Sequence, residues 1–256
     1  MRRILLVASL AALLFIAGCV SPDNEGNGME RNGAVQNGTV DIESAGQIYP
    51  AYIASPVDGG PFPAVVLIHS FNGLEPGYRE MGDHFAAEGY VVIAPEWQTH
   101  EQAPGDDSTE ALIRDTIAYL DTRPDVDTSS LGLTGFCAGG RYTMLYLPLI
   151  EEFTSGVAWY GFPFSGGPGN GTPPVEFIDE ITDPMLIIHG TADQASPVAE
   201  IYQYATELDA AGKYFELKIY QGEPHGFMIE DGALSESFVA LDAYQEMVDF
   251  FDRTLG

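Results

Sequence analysis

A cysteine stands at the centre of residues 135–140, whose sequence GFCAGG has the spacing glycine–x–nucleophile–x–glycine. An apolar run precedes this segment and a helical pattern follows it. The spacing therefore predicts a tight strand–turn–helix in which the Cys137 side chain projects above a sheet. A helix N-terminus favours a thiolate, and the backbone N–H of Ala138 is a predicted oxyanion donor. The alternative is a small buried cysteine beside a glycine-rich turn.

Asp193 and His225 stand where the acid and the base of a nucleophilic hydrolase are expected. Asp193 follows the apolar run at 185–189 and His225 follows the run at 215–220, so both are predicted on loops after strand ends. The chain order nucleophile, acid, histidine is that of the α/β-hydrolases. Taken singly, Asp193 is also explained as a turn residue and His225 as a surface histidine. Together with Cys137 they predict a thiol activated by a carboxylate-oriented imidazole.

The elements that must position these residues are visible as short runs of apolar or alternating residues. Such apolar runs are typical of strands buried on both faces of a sheet. Strands are predicted at 39–43, 48–53, 64–69, 90–94, 131–136, 156–160, 185–189 and 215–220. Helical patterns lie between them, one of which begins with a predicted capping box at 107–110. The order predicts an α/β-hydrolase fold, with a mostly parallel sheet of about eight strands, an antiparallel leading hairpin and helices on both faces.

Three segments together resemble the dienelactone hydrolase family, a cysteine branch of the α/β-hydrolases. They are GFCAGG at 135–140, HGTAD at 189–193 and PHGF at 224–227, and the resemblance extends from about residue 38 to residue 253. It implies that Cys137 is the nucleophile, that His225 is the general base and acid, and that Asp193 orients this histidine. It also implies that the backbone N–H of Phe71 is the second oxyanion donor.

Two positions depart from the pattern of that family. Ser70 stands where the family often has a glutamate that contacts the nucleophilic sulfur. Glu101 stands where the resemblance places an arginine that holds the carboxylate of the substrate. An anionic dienelactone would meet repulsion at Glu101, so the resemblance supports the fold better than it supports this substrate.

The expected substrate pocket combines one hydroxyl with several aromatic rings. The predicted lining residues, most of them just past strand ends, are Ser70, Trp97, Tyr160, Phe162 and Phe164. Some of these rings are equally explained as core residues. Arg141, just after the cysteine turn, is explained either as a partner for a substrate carboxylate or as half of a structural ion pair.

These residues predict a carboxylic ester hydrolase that acts on small esters or lactones through a thioester acyl-enzyme. The chemistry needs no cofactor and no metal, and the histidines show no metal-ligand spacing. The alternative is a non-catalytic lipoprotein of the same fold that binds a ligand or an envelope partner.

The first 37 residues read as a targeting region. Arg2 and Arg3 precede an apolar run that ends in small residues before Cys19, as in an export signal with a lipobox-like ending. We expect a signal peptide over 1–18, a lipid-anchored flexible tether over 19–37 and the catalytic domain over 38–256. Lipid on Cys19 would hold the protein at the outer face of the cytoplasmic membrane. An ordinary signal peptide with an incidental cysteine is the alternative.

The charge balance is strongly acidic, with 10 Lys and Arg against 38 Asp and Glu and a net charge of −28. A protein that binds nucleic acid by neutralising phosphates is excluded because there is no basic surface for it. Such acidity, with little lysine, favours a surface adapted to high salt. An acidic extracellular protein is the alternative, and we expect a monomer.

Overall fold

Eight strands form the sheet in the computed structural model, which describes residues 33–167 and 170–256. They are β1 (Val35–Ser44), β2 (Gln47–Pro56), β3 (Phe62–Ile68), β4 (Val91–Pro95), β5 (Val126–Phe136), β6 (Ser155–Trp159), β7 (Met185–Gly190) and β8 (Phe215–Tyr220). Their order across the sheet is β1-β2-β4-β3-β5-β6-β7-β8. Strands β3 to β8 pair in parallel, and β1–β2 and β2–β4 pair antiparallel. The predicted fold class is therefore confirmed.

Strand β1 begins earlier than the tether prediction allowed. Val35 and Gln36 already pair with Pro56 and Ser55 of β2. The prediction of a flexible tether up to residue 37 is thus wrong for its last three residues, because a strand partner satisfies their backbone groups.

Within the described residues, five α-helices cover the two faces of the sheet. They are α1 (Pro76–Ala87), α2 (Asp106–Asp121), α3 (Ala138–Tyr146), α4 (Val198–Ala210) and α5 (Phe238–Leu255). Strand β3 shows how the sheet serves both faces, because Val66 and Ile68 pack with α2, α3 and α4, whereas Val65 and Leu67 pack with α1 and α5. Each fully buried side chain of this size stabilises the fold by about 1.5–3 kcal/mol. The continuous apolar runs follow from this double burial.

Two local predictions are corrected by the structure. Helix α2 begins at Asp106 with Gly105 as its N-cap, so the predicted capping box at 107–110 is wrong. A short hairpin, β9 (Ile229–Glu230) with β10 (Ala233–Leu234), has no counterpart in the predictions. Two residues per strand are too few to give a periodic signal.

The carboxyl ends of the parallel strands meet at one edge of the sheet. The loops after β3, β5, β7 and β8 therefore lie together there, as in other α/β sheets that place ligands at this edge. Among the helices of residues 33–167 and 170–256, none has both the length and the apolar character needed to cross a membrane.

Candidate active site

Cys137 occupies the turn between strand β5 and helix α3. Its φ of 58° and ψ of −111° lie outside the regions that side-chain-bearing residues normally occupy, so the backbone is strained there. The amide of Cys137 donates to the carbonyl oxygen of Trp159 at 3.1 Å, and the carbonyl of Cys137 accepts from the amide of Arg141 at 3.0 Å. These bonds hold the strained residue in place, and its free thiol is partly exposed.

The glycines around Cys137 allow backbone segments to approach each other closely. A Cβ at Gly135 would overlap the carbonyl oxygen of Gly139, and a Cβ at Gly139 would overlap the carbonyl oxygen of Ile68. Strands β5 and β3 and the first turn of α3 thus meet with no room for side chains. The GFCAGG spacing reflects this packing as much as the turn itself.

Asp193 and His225 form a hydrogen-bonded pair. The Nδ1–H of His225 donates to Oδ2 of Asp193 at 2.7 Å. Oδ1 of Asp193 accepts from the amides of Ala195 at 2.9 Å and Ser196 at 2.8 Å, and its carboxylate is fully buried. Burial alone would raise the pKa of Asp193, but the hydrogen bonds from His225 and Ser196 and the nearby histidine charges lower it further than burial raises it.

The loops that carry these two residues are bonded to each other. The amide of Ala192 donates to the carbonyl oxygen of Glu223 at 3.0 Å, and the amide of Thr191 donates to the carbonyl oxygen of Tyr220 at 2.9 Å. Gly190 lacks a side chain where one would overlap the carbonyl oxygen of Glu223. The β7 and β8 loops therefore fix the acid relative to the imidazole.

The environment of His225 favours its protonated form. Burial lowers its pKa, but the hydrogen bond to Asp193 and the interaction with Cys137 raise it by more, to about 9. The Nε2 atom is buried and has no hydrogen-bond partner of normal geometry within the described residues. The imidazole thus has one nitrogen fixed by the acid and the other available beside the sulfur.

The two predicted oxyanion donors lie at the ends of β5 and β3. The amide of Ala138 is the first of helix α3 and so has no acceptor within the helix. Phe71 follows β3, and its carbonyl oxygen accepts from the side-chain amides of Gln98 at 3.1 Å and Gln102 at 3.3 Å. With its carbonyl held in this way, the Phe71 peptide is fixed beside the cleft that contains Cys137.

A cleft of about 510 Å³ opens above Cys137. Its lining consists of Ser70, Phe71, Asn72, Glu75, Tyr78, Cys137, Tyr160, His225, Gly226, Ile229, Asp231 and Gly232. The predicted nucleophile, base, second oxyanion residue and two of the predicted pocket residues are thus together in one space. The residues that sequence reasoning missed come from helix α1 and the β9–β10 hairpin, for which no motif was visible.

Two tyrosines give the cleft neutral hydroxyl groups. Tyr78 is buried, and its ring centroid lies 5.1 Å from that of Phe136. Tyr160 has a φ of 35°, and its buried hydroxyl makes no hydrogen bond of normal geometry within the described residues. Burial raises the pKa of both phenols, and the nearby Cys137 adds to this. Both remain protonated donors at neutral pH.

Three predicted pocket aromatics do not line the cleft. Trp97 is buried behind it, where its Nε1–H donates to the carbonyl oxygen of His69 at 3.2 Å. Phe162 packs on His225 at 5.5 Å between ring centroids, and Phe164 packs near Tyr204 at 6.5 Å. Trp97 belongs to the hydrophobic core, Phe164 packs against that core, and Phe162 contacts the site through His225.

Arg141 and Glu101, the two charged residues that the sequence suggested for the site, do not line the cleft. Arg141 is buried and forms a two-point ion pair with Asp106, both N–O distances being 2.8 Å, so its structural interpretation is the correct one. Glu101 is exposed and does not line the cleft. The expected repulsion of an anion at Glu101 therefore has no support from the lining of the cleft.

His69 and His189 are buried neutral histidines. Burial lowers the pKa of His69 to about 4 despite the hydrogen bond to the carbonyl of Ser70, and burial also lowers the pKa of His189. In the part of the chain that the structure describes, no group of three or more His, Cys, Asp or Glu could hold a metal ion. Cys19, the signal peptide and most of the tether lie outside the described residues.

Comparisons with known proteins find similar sequences along most of the chain. The sequence pattern of the family described as "Dienelactone hydrolase family" matches residues 49–255. A protein of Methylorubrum extorquens provisionally named carboxymethylenebutenolidase is 29% identical and aligns over 98% of this chain and 92% of its own. A protein of the same provisional name from Escherichia coli K12 is 30% identical over 87% of this chain and 89% of its own.

A solved structure shows the same fold. The crystal structure of a Klebsiella pneumoniae protein, provisionally named a dienelactone hydrolase, superposes with a TM-score of 0.79. The sequences are 26% identical, and the match covers 86% of this chain and all of the other.

Proposed function

Since this chain belongs to the dienelactone hydrolase family, we propose that it hydrolyses small carboxylic esters or lactones through Cys137, His225 and Asp193. The observation that carries the proposal is the meeting of three groups, two of which line the cleft while the third is buried behind them. These are a cysteine at a strained strand–helix turn, an imidazole facing it and a buried carboxylate 2.7 Å behind that imidazole. This arrangement is what nucleophilic acyl transfer requires.

In the first half of the reaction, the thiolate of Cys137 attacks the ester carbonyl carbon. The carbonyl oxygen becomes an oxyanion, for which the amides of Ala138 and Phe71 are the donors. Each such donor typically contributes about 3–4 kcal/mol of transition-state stabilisation. The tetrahedral intermediate collapses, the C–O bond to the leaving alkoxide breaks, and Nε2–H of His225 protonates that alkoxide. The products are a free alcohol and a thioester on Cys137.

In the second half, water replaces the alcohol. The now neutral His225 takes a proton from water, and the resulting hydroxide attacks the thioester carbonyl carbon. Collapse of this second intermediate breaks the C–S bond and releases the carboxylic acid, while Cys137 leaves as a thiolate beside the imidazolium. Asp193 holds the imidazole in the tautomer that leaves Nε2 facing the sulfur throughout.

The first test is turnover of a panel of neutral aryl esters, thioesters and lactones by the wild type and by Cys137→Ala. We expect kcat/KM to fall by at least about 10³-fold in the variant, because the nucleophile is lost. His225→Ala should behave similarly, and His100→Ala, at an exposed histidine outside the cleft, is the matched control. A folded wild type that turns over no member of the panel would favour the alternative of a ligand-binding protein.

We also propose that residues 1–18 direct export and that Cys19 carries the lipid anchor. The proposal is supported by the basic, apolar and small-residue order of this segment. Intact mass of protein isolated from its native membrane is the test. A mature chain beginning at Cys19 with added acyl mass is expected, and Cys19→Ser should remove the protein from the membrane fraction. An unmodified Cys19 in the mature chain would refute the anchor.

A further inference from the structure

Two carboxylates stand in the lining of the catalytic cleft. Glu75 immediately precedes helix α1, and Asp231 lies in the turn of the β9–β10 hairpin. Both line the same space as Cys137 and His225. Neither contributes to the proposed reaction.

The fold places these two residues side by side. The amide of Gly77 donates to the carbonyl oxygen of Gly232 at 2.9 Å, which attaches the hairpin to the first turn of α1. A Cβ at Gly77 would lie 2.5 Å from the amide nitrogen of Leu234, so only glycine permits this approach. A Cβ at Gly232 would be 3.8 Å from Oε1 of Glu75. The Glu75 carboxylate therefore lies next to the turn that carries Asp231.

No basic side chain compensates these charges. Within residues 33–167 and 170–256, no lysine or arginine lines the cleft. The arginine nearest the nucleophile in sequence, Arg141, is paired with Asp106, and Arg79 of helix α1 is paired with Glu96 at 3.0 Å. Among the side chains that line the cleft, the carboxylates of Glu75 and Asp231 are thus opposed only by the imidazolium that belongs to the reaction.

Aromatic rings accompany the carboxylates. Phe71, Tyr78 and Tyr160 line the same cleft. Tyr78 and Tyr160 are buried, so Phe71, which is 37% exposed, is the ring whose face a ligand can reach. An accessible ring face attracts an organic cation, and together with the carboxylates it suits an ammonium group better than a neutral or anionic one. The buried hydroxyl of Tyr160, which has no hydrogen-bond partner of normal geometry within the described residues, is a further polar group available to a ligand.

We propose that the cleft selects substrates whose acyl or alcohol part carries a positively charged ammonium group, with Glu75 and Asp231 as the recognition residues. The inference rests on the proposed ester hydrolysis at Cys137 and names its substrate class. The cation lies in the cleft beside the carboxylates of Glu75 and Asp231 while the carbonyl carbon lies at the sulfur. Anionic esters are repelled at the same two residues.

The hairpin turn itself gives a competing reason for Asp231. Asp231 and Gly232 have φ values of 51° and 81°, as in a two-residue turn that favours Asp-Gly or Asn-Gly. Asp231→Asn keeps the turn preference and removes the charge. Glu75→Gln likewise keeps the shape of the side chain. These variants separate charge recognition from local folding.

The experiment uses three p-nitrophenyl esters with acyl chains of equal length that end in trimethylammonium, tert-butyl or carboxylate. The first two groups are nearly the same size, so their kcat/KM ratio isolates charge. In the wild type we expect kcat/KM for the trimethylammonium ester to exceed kcat/KM for the tert-butyl ester by at least tenfold. The measurement is made at the lowest salt concentration at which the protein stays folded. The kcat/KM for the carboxylate ester should be lower than that for the tert-butyl ester.

The variants give the decisive comparison. Glu75→Gln and Asp231→Asn should each lower the cation-to-neutral ratio by about threefold, as expected for one charge acting over several ångströms in a partly solvated cleft. The double variant should bring the ratio close to one. Glu151→Gln is the matched control, since Glu151 is exposed and precedes β6 at the opposite edge of the sheet. It should leave the ratio unchanged and so exclude an effect of total charge.

A binding measurement keeps the two proposals distinguishable. The ligands are N-methylamides of the same acyl chains, which Cys137→Ala can bind but not hydrolyse. This variant should bind the amide that ends in trimethylammonium at least fivefold more tightly than the amide that ends in tert-butyl. A wild-type ratio near one, or a ratio that survives in the double variant, overturns the charge inference while ester hydrolysis stands. If none of the three esters is turned over, ester hydrolysis fails, and the binding ratio still decides whether the cleft recognises an ammonium group.

Discussion

The electrostatic balance at His225 determines what the site can do at the level of single residues. Burial opposes a charged imidazole, but the hydrogen bond to Asp193 and the interaction with Cys137 outweigh it and raise the pKa to about 9. At neutral pH the histidine is therefore an acid, ready to protonate a leaving alkoxide. The imidazolium is the resting form of His225 that this balance favours.

The raised pKa of His225 predicts a falling limb at alkaline pH. Because the protonated imidazole is required for a poor leaving group, kcat/KM for an alkyl ester should be level between pH 7 and 8 and fall about tenfold per pH unit above about 9. A p-nitrophenyl ester, whose leaving group needs no proton, should show a much weaker fall. The two profiles measured on one preparation test this. Equal falls for both esters would contradict the role of His225 as acid.

Asp193→Asn tests the orienting carboxylate. The amide preserves the shape but favours the wrong imidazole tautomer and withdraws the charge that holds the His225 proton. We expect kcat to fall by at least about 10²-fold and the alkaline limb to move to lower pH. The pH–rate profile is the readout, because a purely structural loss would lower the rate without moving the limb. Thermal unfolding measured in parallel verifies the fold.

At the level of elements, the sheet could be predicted from the sequence and the rim of the cleft could not. Strands β4, β6 and β7 are buried along their whole length, and β3 and β5 along their C-terminal parts, so their apolar runs are visible in the sequence. Helix α1 contains Gly77 and Gly82, which weaken its helical signal. Tyr78, Glu75 and Asp231 reach the cleft only because α1 and the β9–β10 hairpin dock on each other. That contact is tertiary and leaves no trace in local spacing.

Gly77 and Gly82 of helix α1 offer a matched pair of substitutions. In Gly77→Ala the new methyl group would collide with the backbone of Leu234 and displace the hairpin, whereas at Gly82 the nearest atom is a ring carbon of Tyr52 at an ordinary 3.5 Å. We expect Gly82→Ala to stabilise the protein by about 0.5–1 kcal/mol through helix propensity. Gly77→Ala should destabilise it and raise KM more than it lowers kcat. Urea unfolding and steady-state kinetics measure both, and equal effects of the two variants would refute the docking argument.

For the molecule as a whole, acidity is the dominant physical property. A chain with 38 acidic and 10 basic residues repels itself when folded, and salt screens that repulsion. The apolar interior on both faces of the sheet opposes the repulsion. The net stability therefore depends on ionic strength more than it does for a balanced protein. We propose that the acidic surface of this protein is adapted to high salt.

Thermal unfolding against salt concentration tests this property. Raising NaCl from about 0.1 to 2 M should raise Tm by roughly 10 °C, because the Debye length falls from about 10 Å to below 3 Å. At a pH near 4, where about half of the carboxylates are neutral, the dependence should weaken. A Tm that does not respond to salt at neutral pH would refute the proposal of a salt-adapted surface.

The bonds between the β7 and β8 loops have a consequence for how such a site changes over evolutionary time. Asp193 and His225 are preassembled by contacts such as that from Ala192 to Glu223, none of which involves the β5 turn. The proposed catalytic centre thus has two separately built parts. One is the hydrogen-bonded pair of Asp193 and His225, and the other is the nucleophile at position 137. Replacing the sulfur at position 137 by oxygen leaves the bonds between His225 and Asp193 in place and removes the part of the raised His225 pKa that Cys137 supplies. A change of nucleophile therefore requires little rearrangement of the backbone in this fold.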